Sequence, residues 1–301
     1  MDARTLIRAQ QIAWAKRRGI PLQKGNPRSS GEALYTHSLC ENLYEPLCAE
    51  ATRDYEQGDG TPSKAKNGYL AHLWALYNSD AIAANVFNYW KTRDPGRMSV
   101  YLDVRSDIIE SIQFERKFQI LPQGTKPNID VAIRCASGGE FDWIGIESKM
   151  VETYPAKRRK LFDEKYFAPG GTWWDGLPET RRLAESFRGD GSKTAPINRH
   201  LDRGQLIKHI LGLRNACRKT GNDPSRIMLI YMWFDVDSPE ARRHDQEVSE
   251  FAAVLTGDGV RFRSSTWQTL IKHLVEGEEE THPAYTAYLR DRYLPIPSAS
   301  A

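Results

Sequence analysis

The chain has 301 residues, 27% charged and 40% hydrophobic, with 42 basic against 39 acidic side chains. That length and balance suit one large globular domain, or one domain with an extension, and exclude a disordered chain or a small stapled scaffold. A net charge of +3 is too mild, by itself, to imply or exclude a nucleic-acid partner. The longest apolar run, residues 227–234 (IMLIYMWF), has strand length and falls far short of the roughly 18 apolar residues of a membrane span. Basic or polar residues interrupt every apolar stretch near the start, so no signal peptide is expected. Cys40, Cys48, Cys135 and Cys217 are scattered, with no CxxC pair, which argues against a disulfide framework and a cysteine zinc site. The expectation is a soluble cytoplasmic protein.

Residues 4–18 predict a helix, with Leu6, Ile7, Ala13 and Trp14 on one stripe and a basic end at Lys16, Arg17 and Arg18. A Pro/Gly/Ser-rich loop follows, and residues 33–56 predict a second helix broken near Pro46. The polar, Gly-rich stretch 57–66 (QGDGTPSKAK) predicts a loop. It marks the boundary between an N-terminal helical extension (1–66) and the main domain (67–301). A helix is predicted over 79–90, with Ser79 as N-cap and Ile82, Val86 and Tyr89 on its apolar stripe. From Ile109 the period becomes two. Ile112, Phe114, Phe118 and Ile120 alternate with Gln113, Glu115, Lys117 and Gln119, which puts Glu115 on the polar face of a strand. Strands at 128–136 and 142–150 follow. A helix over 199–219 carries Leu206, Ile210, Leu213 and Cys217 on one stripe. A buried strand (226–235), a helix (239–255), a short strand (260–263) and terminal helices complete the chain. This order predicts an α/β fold, a core sheet with helices on its faces.

The chemistry concentrates in residues 126–150, KPNIDVAIRCASGGEFDWIGIESKM. Ser137, Gly138, Gly139 and Glu140 form a turn between two strand-like runs. A symmetric turn makes opposite residues sum to 277, pairing Ile133 with Ile144 and Val131 with Ile146 on one apolar face. An odd-length turn would break that register. On the other face Asp130 then sits opposite Glu147, with Lys149 two residues along the same strand. Two facing carboxylates repel unless something compensates them, and a divalent cation is the natural compensator. Hard oxygen ligands suit magnesium or manganese, with the Ser148 carbonyl as a possible third oxygen. An ammonium on Lys149 would stabilise a hydroxide nucleophile or the charge developing on a phosphorane. The plainer alternative is a salt-bridge patch on a solvated strand face.

Pro127-Asn128-Ile129-Asp130 followed by Gly145-Ile146-Glu147-Ser148-Lys149 resembles the PD-(D/E)xK nuclease superfamily. The resemblance covers about residues 79–235. It implies a restriction-endonuclease-like core: a mixed central β-sheet flanked by helices, with a metal site built from Asp130, Glu147 and Lys149. The helix over 79–90 is similar to the first helix of that core, and the Glu115 strand precedes the Asp130 strand as the pattern requires. Gln205 and His209 on the later helix resemble a Gln-x-x-x-Tyr helix whose glutamine helps order the site. Two departures stand out. Asn128 and Ile129 separate Pro127 from Asp130, and His209 stands in place of the tyrosine.

Secondary candidates surround this hairpin. Glu115 is a further metal ligand if its strand neighbours that of Asp130, and otherwise a solvated charge. Glu152 points to the wrong face if its strand continues straight. Gln205 and His209 either orient the site or flank the helix. The basic residues Lys157, Arg158, Arg159, Lys160, Arg181 and Arg182 suit phosphate contacts or a solvated face. The aromatic stretch 170–175 (GGTWWD) suits core burial more than base stacking. Residues 38–46 (SLCENLYEP) lie in the extension, with DNA recognition and dimerisation both open.

The leading expectation is a magnesium- or manganese-dependent endonuclease hydrolysing DNA, of restriction or defence type. No GxxxxGK[ST] motif is present, so it would not itself power translocation. Two alternatives remain: a non-catalytic nucleic-acid-binding or scaffold protein on the same fold, and a phosphoesterase acting on RNA. Double-strand cutting by one site per chain would call for a homodimer, a partner subunit or two nicks.

Overall fold

The computed structural model describes residues 1–26, 31–58, 70–124, 126–156, 162–188 and 199–295. In chain order its helices and strands are α1 (Ala3–Arg17), α2 (Leu39–Asn42), α3 (Ala49–Gln57), α4 (Ser79–Lys91), α5 (Gly96–Leu102), β1 (Ile109–Lys117), β2 (Asn128–Cys135) and β3 (Trp143–Lys149). They continue with α6 (Pro178–Glu185), α7 (Arg203–Lys219), β4 (Ile227–Trp233), α8 (Pro239–Gly257), β5 (Arg261–Thr266), α9 (Trp267–Glu278) and α10 (Pro283–Tyr293).

The strands form one five-stranded sheet in the order β1-β2-β3-β4-β5. Its first half is antiparallel and its second half parallel. The short turn after β2 allows only an antiparallel return, whereas α7 and α8 are long enough to carry the chain back for parallel pairing. β4 lies inside the sheet with all seven residues buried, as its unbroken apolar sequence demands.

Helices cover both faces. On one, Trp14 of α1, Tyr55 of α3, Phe87 of α4, Trp267 of α9 and Tyr285 of α10 pack with Ile144, Ile146 and Ile230. On the other, Ala184 of α6, Leu206, Ile210 and Leu213 of α7 and Phe251 of α8 pack with Ala132, Leu229 and Tyr231. The result is a three-layer α/β/α arrangement with a mixed sheet, which is the restriction-endonuclease-like class implied by the sequence resemblance.

The N-terminal helices share the first of these cores. α3 runs beside the edge strand β1: Phe114 N–H donates to Asp54 Oδ2 (3.1 Å) and Lys117 Nζ to the Gln57 carbonyl (3.0 Å). A covered edge cannot recruit a foreign strand. The 38–46 stretch is used internally. Glu41 accepts from the Ser38 N–H in a capping box, and buried Asn42 takes both Nη groups of buried Arg292 (2.6 Å each).

Four expectations differ in detail. Residues 31–38 are not helical, so the segment predicted as one broken helix holds only α2 and α3. The cap of α4 is Asn78, whose side chain accepts from Asp80 N–H (2.9 Å) and Ala81 N–H (3.0 Å), and Ser79 is already inside the helix. α7 starts at Arg203 because Asp202 caps it through Gln205 N–H. The apolar stripe of β1 does not stay on one face. Ile112 and Phe114 join the core on the α4 side, Phe118 and Ile120 the core on the α7 side. Most of the 57–66 stretch, including the proposed boundary at 66, lies outside the described residues.

Candidate active site

The switch of faces in β1 happens at Glu115, whose φ of +50° lies in the left-handed region. That conformation costs a side chain-bearing residue about 1–2 kcal/mol. β2 switches at the facing position: Ile129 joins the core on the α7 side, Val131 and Ile133 the core on the α4 side. Phe114 pairs with Val131 and Arg116 with Ile129, which sets Glu115 against Asp130 at the kink. Beyond Val131 the β2–β3 ladder forms no further pair, and Ser148 N–H donates to Asp130 Oδ2 instead (2.7 Å).

α4 completes the arrangement. With Asn78 as cap, Ser79 is free to bind the sheet: its Oγ–H donates to Glu152 Oε1 (3.1 Å), and its carbonyl accepts from Ser148 Oγ–H (2.9 Å). The first turn of α4 is thereby pinned to the end of β3. Asp80, next in the chain, brings one carboxylate oxygen within 4.8 Å of one oxygen each from Glu115 and Asp130. All three residues are partly buried. Asn128 Nδ2–H donates to Glu115 Oε2 (2.9 Å) and steadies that carboxylate.

Glu147 and Lys149 lie beside this cluster and engage each other. Lys149 Nζ donates to Glu147 Oε1, and His209 Nε2 of α7 lies 2.9 Å from Glu147 Oε2, off the line of a straight hydrogen bond. Glu147 is fully buried. Burial alone would raise its carboxyl, but Lys149 and His209 outweigh it and hold the group well below the usual range. Burial likewise opposes the charge on Lys149, yet Glu147 and Asp130 keep the ammonium protonated far above neutral pH. α7 comes this close because residue 145 is glycine. A Cβ there would stand 2.9 Å from Leu213 Cδ1, one helical turn beyond His209.

Two carboxyls of the three-acid cluster are raised despite the nearby Lys149 ammonium. Burial first, then Glu152, raises the Asp80 carboxyl to about 6, against the opposing pull of Lys149 and Asn78. Burial first, then Glu147, pushes Asp130 well above the carboxylate range. Three converging carboxylate oxygens, two of them on groups whose charged form the site disfavours, are a hard-oxygen donor set suited to magnesium or manganese, so these residues fit such a metal.

A model of the protein family described as Restriction Endonuclease associating with ARP matches residues 8–294. The chain belongs to this family. By its description the family is one of restriction endonucleases, so the coarse activity is that of a nuclease. The match runs from α1 to α10 and takes in the N-terminal helices. No curated protein matches the chain, and no solved structure does.

Within this restriction-endonuclease family member, the residues singled out by sequence are distributed as follows. Asp130 and Glu115 meet, and Asp80, read from sequence only as part of a helix, joins them. Glu147 holds Lys149 and His209 and stands outside the three-acid group. Ser148 contributes its N–H to Asp130 and its hydroxyl to Ser79. From α7 it is His209 that reaches Glu147, while Gln205 is one turn earlier and bonds Asp202 through its backbone. Glu152, expected to face away, turns back to Ser79 Oγ and Met150 N–H because β3 ends at Lys149.

Arg181 and Arg182 pair with Glu185 and Glu179 on the same helix. Trp173 and Trp174 both donate to the Tyr166 carbonyl (2.7 Å each), and Trp174 is buried in the core. Residues 157–160 lie outside the described residues. Among the described residues no helix is long and apolar enough to cross a membrane.

Proposed function

We propose that this protein is a divalent-metal-dependent endonuclease that hydrolyses DNA phosphodiester bonds. The observation that carries the reading is the convergence of Asp80, Glu115 and Asp130 within 4.8 Å of one another, beside a charged lysine, in a chain of a restriction-endonuclease family. Asp130, Asp80 and Glu115 would hold magnesium or manganese. When bound, the ion supplies a lowered pKa for an attacking water and a counter-charge for the phosphate.

The chain's own residues do the rest. Lys149, kept protonated by Glu147 and Asp130, presents an N–H donor and a full positive charge to a non-bridging phosphate oxygen, where charge grows during attack. Glu147 fixes the direction of Lys149, and His209 holds Glu147 in turn. Ser148 N–H orients Asp130 towards the cluster. The kinked backbone at Glu115 turns that side chain to the same point. Gln205, one turn before His209, takes a supporting role in ordering α7 against the site.

The family description also names an associated component, ARP. We infer that this chain likewise works with such a component, and cutting in that complex, in a homodimer or by successive nicks would give a double-strand break.

The test is cleavage of supercoiled plasmid with magnesium or manganese by wild type, Asp130→Asn and Lys149→Ala, with single-stranded DNA and RNA in parallel. The reading expects metal-dependent cutting of DNA that both folded variants lose. Preferential cutting of RNA would change the substrate class, and equal cutting by all three proteins would remove the site from consideration.

A further inference from the structure

A cavity of about 330 Å³ opens between α1 and the start of α4, lined by Arg4, Arg8, Tyr35, Tyr77, Asn78 and Glu152 among others. Its size is at the small end of pockets that enclose a small organic group. Asn78, in the cavity wall, is the cap of α4, and Asp80 of the acid cluster follows it by two residues.

The charge in this cavity is unusual for the molecule. Arg4 and Arg8 lie one turn apart on α1, on the same face. Among the described residues neither makes an ion pair or a side-chain hydrogen bond, and the Nε of each is shut off from solvent without a partner. Arg17, Arg93, Arg203 and Arg242, by contrast, each hold a carboxylate. Arg8 is stacked over the Tyr77 ring at 4.7 Å, which fixes its plane while leaving its N–H edge open. The one lining acid, Glu152, has its oxygens engaged by Ser79 Oγ–H and Met150 N–H.

We infer that this cavity binds a phosphate group of the nucleic-acid strand, next to the one being cut. The inference rests on the nuclease reading for its choice of ligand. Two guanidinium forks without protein acceptors match phosphate oxygens in geometry and charge. A strand with its scissile phosphate at the three acids runs on past the start of α4, where Asn78, Arg4 and Arg8 share one cavity that a neighbouring phosphate could enter. That group is either an internal phosphate or a terminal one, and the chemistry is the same for both. Arg4 and Arg8 are thus positioning residues for the substrate, supplied by the N-terminal helix.

The test is binding of two 3′-labelled single-stranded DNA decamers, with and without a 5′-phosphate, measured by fluorescence anisotropy in EDTA so that nothing is cut. The full chain is compared as wild type, Arg4→Gln/Arg8→Gln and Arg8→Lys, with melting curves to show that each is folded. The double variant is expected to bind about tenfold or more weakly. Its slope of log affinity against log salt falls by about 0.7 per lost contact, and Arg8→Lys keeps most of the slope. Loss confined to the phosphorylated decamer identifies a terminal phosphate, and equal loss on both an internal one. Equal affinity and slope for wild type and double variant, or no binding of either decamer by wild type, overturns the inference. Cleavage of plasmid by the same proteins judges the nuclease reading separately: unimpaired cutting with an unchanged salt slope removes the pocket alone. An absence of cutting with the slope difference intact removes the nuclease reading alone.

Discussion

Replacing Asp80 by asparagine should stabilise the metal-free protein while destroying its metal response. Asp80, Glu115 and Asp130 place oxygens within 4.8 Å of one another. At that separation two unit charges repel by about 1 kcal/mol in water and about 3.5 kcal/mol at an effective dielectric of 20. Asp80→Asn removes two such pairs, together with the attraction of Lys149 that partly offsets them. Partial protonation of Asp80 and Asp130, whose carboxyls are both raised, already relieves some of this. Asparagine also gives up a favourable charge in the first turn of α4, worth about 0.5 kcal/mol. The net expectation is a gain of about 1–3 kcal/mol, or about 2–5 °C in melting temperature for a chain of this size. The assay is thermal and urea denaturation in EDTA and in magnesium. The sign of the pH dependence follows from the raised carboxyl. Asp80 takes up its proton in the folded state near pH 6, above its unfolded value of 3.8, so metal-free wild type gains stability as the pH falls through that window. The variant lacks that component, and wild type gains from magnesium where the variant gains little. Marked destabilisation of Asp80→Asn in EDTA, or an equal magnesium response in both proteins, would refute the reasoning.

Other substitutions probe the supports of the site. Gly145→Ala should cost about 1 kcal/mol, because its Cβ would stand 2.9 Å from Leu213 Cδ1 and 3.1 Å from Ile129 Cδ1 and force those buried side chains to shift, as urea denaturation would measure. His209→Ala leaves the buried Glu147 carboxylate with Lys149 alone and should cost about 2–3 kcal/mol at neutral pH. Because Glu147 titrates below its unfolded value of 4.5, its contribution is present above that pH and is lost as the pH falls, so wild type and His209→Ala should converge in acid unfolding. Lys149→Ala should fold but cut at least a hundredfold more slowly, through loss of a transition-state contact, as read from single-turnover kinetics.

The hairpin was legible because its physics is local. The Gly138-Gly139 turn and the alternation of Val131, Ile133, Ile144 and Ile146 specify the pairing that the structure shows. The helix order was legible for the same reason, since Leu206, Ile210, Leu213 and Cys217 recur at helical spacing and are all buried. What stayed hidden depends on single residues or on distance. A period of two assumes continuous extended backbone, and the left-handed Glu115 breaks it, so Phe114 and Phe118 enter different cores and Glu115 meets Asp130 at the kink. Asp80 was hidden because an acid in the first turn of a helix is what the helix dipole favours anywhere. Its approach to β1 and β2 depends on Ser79 being bonded to Ser148 and Glu152, contacts about 70 residues apart in the chain. Glu152 was read on the condition that its strand continues, and β3 ends at Lys149, where the chain turns and its alternation no longer applies.

The most direct test of the three-acid site is the rate of supercoiled-plasmid cleavage in magnesium by Asp80→Asn beside wild type, with both shown to be folded by their melting curves. Wild type should cut, and Asp80→Asn, although the more stable protein without metal, should lose at least a hundredfold in rate. Cutting by Asp80→Asn at the wild-type rate would contradict this, because the carboxylate that α4 delivers to Glu115 and Asp130 would then have no part in the chemistry.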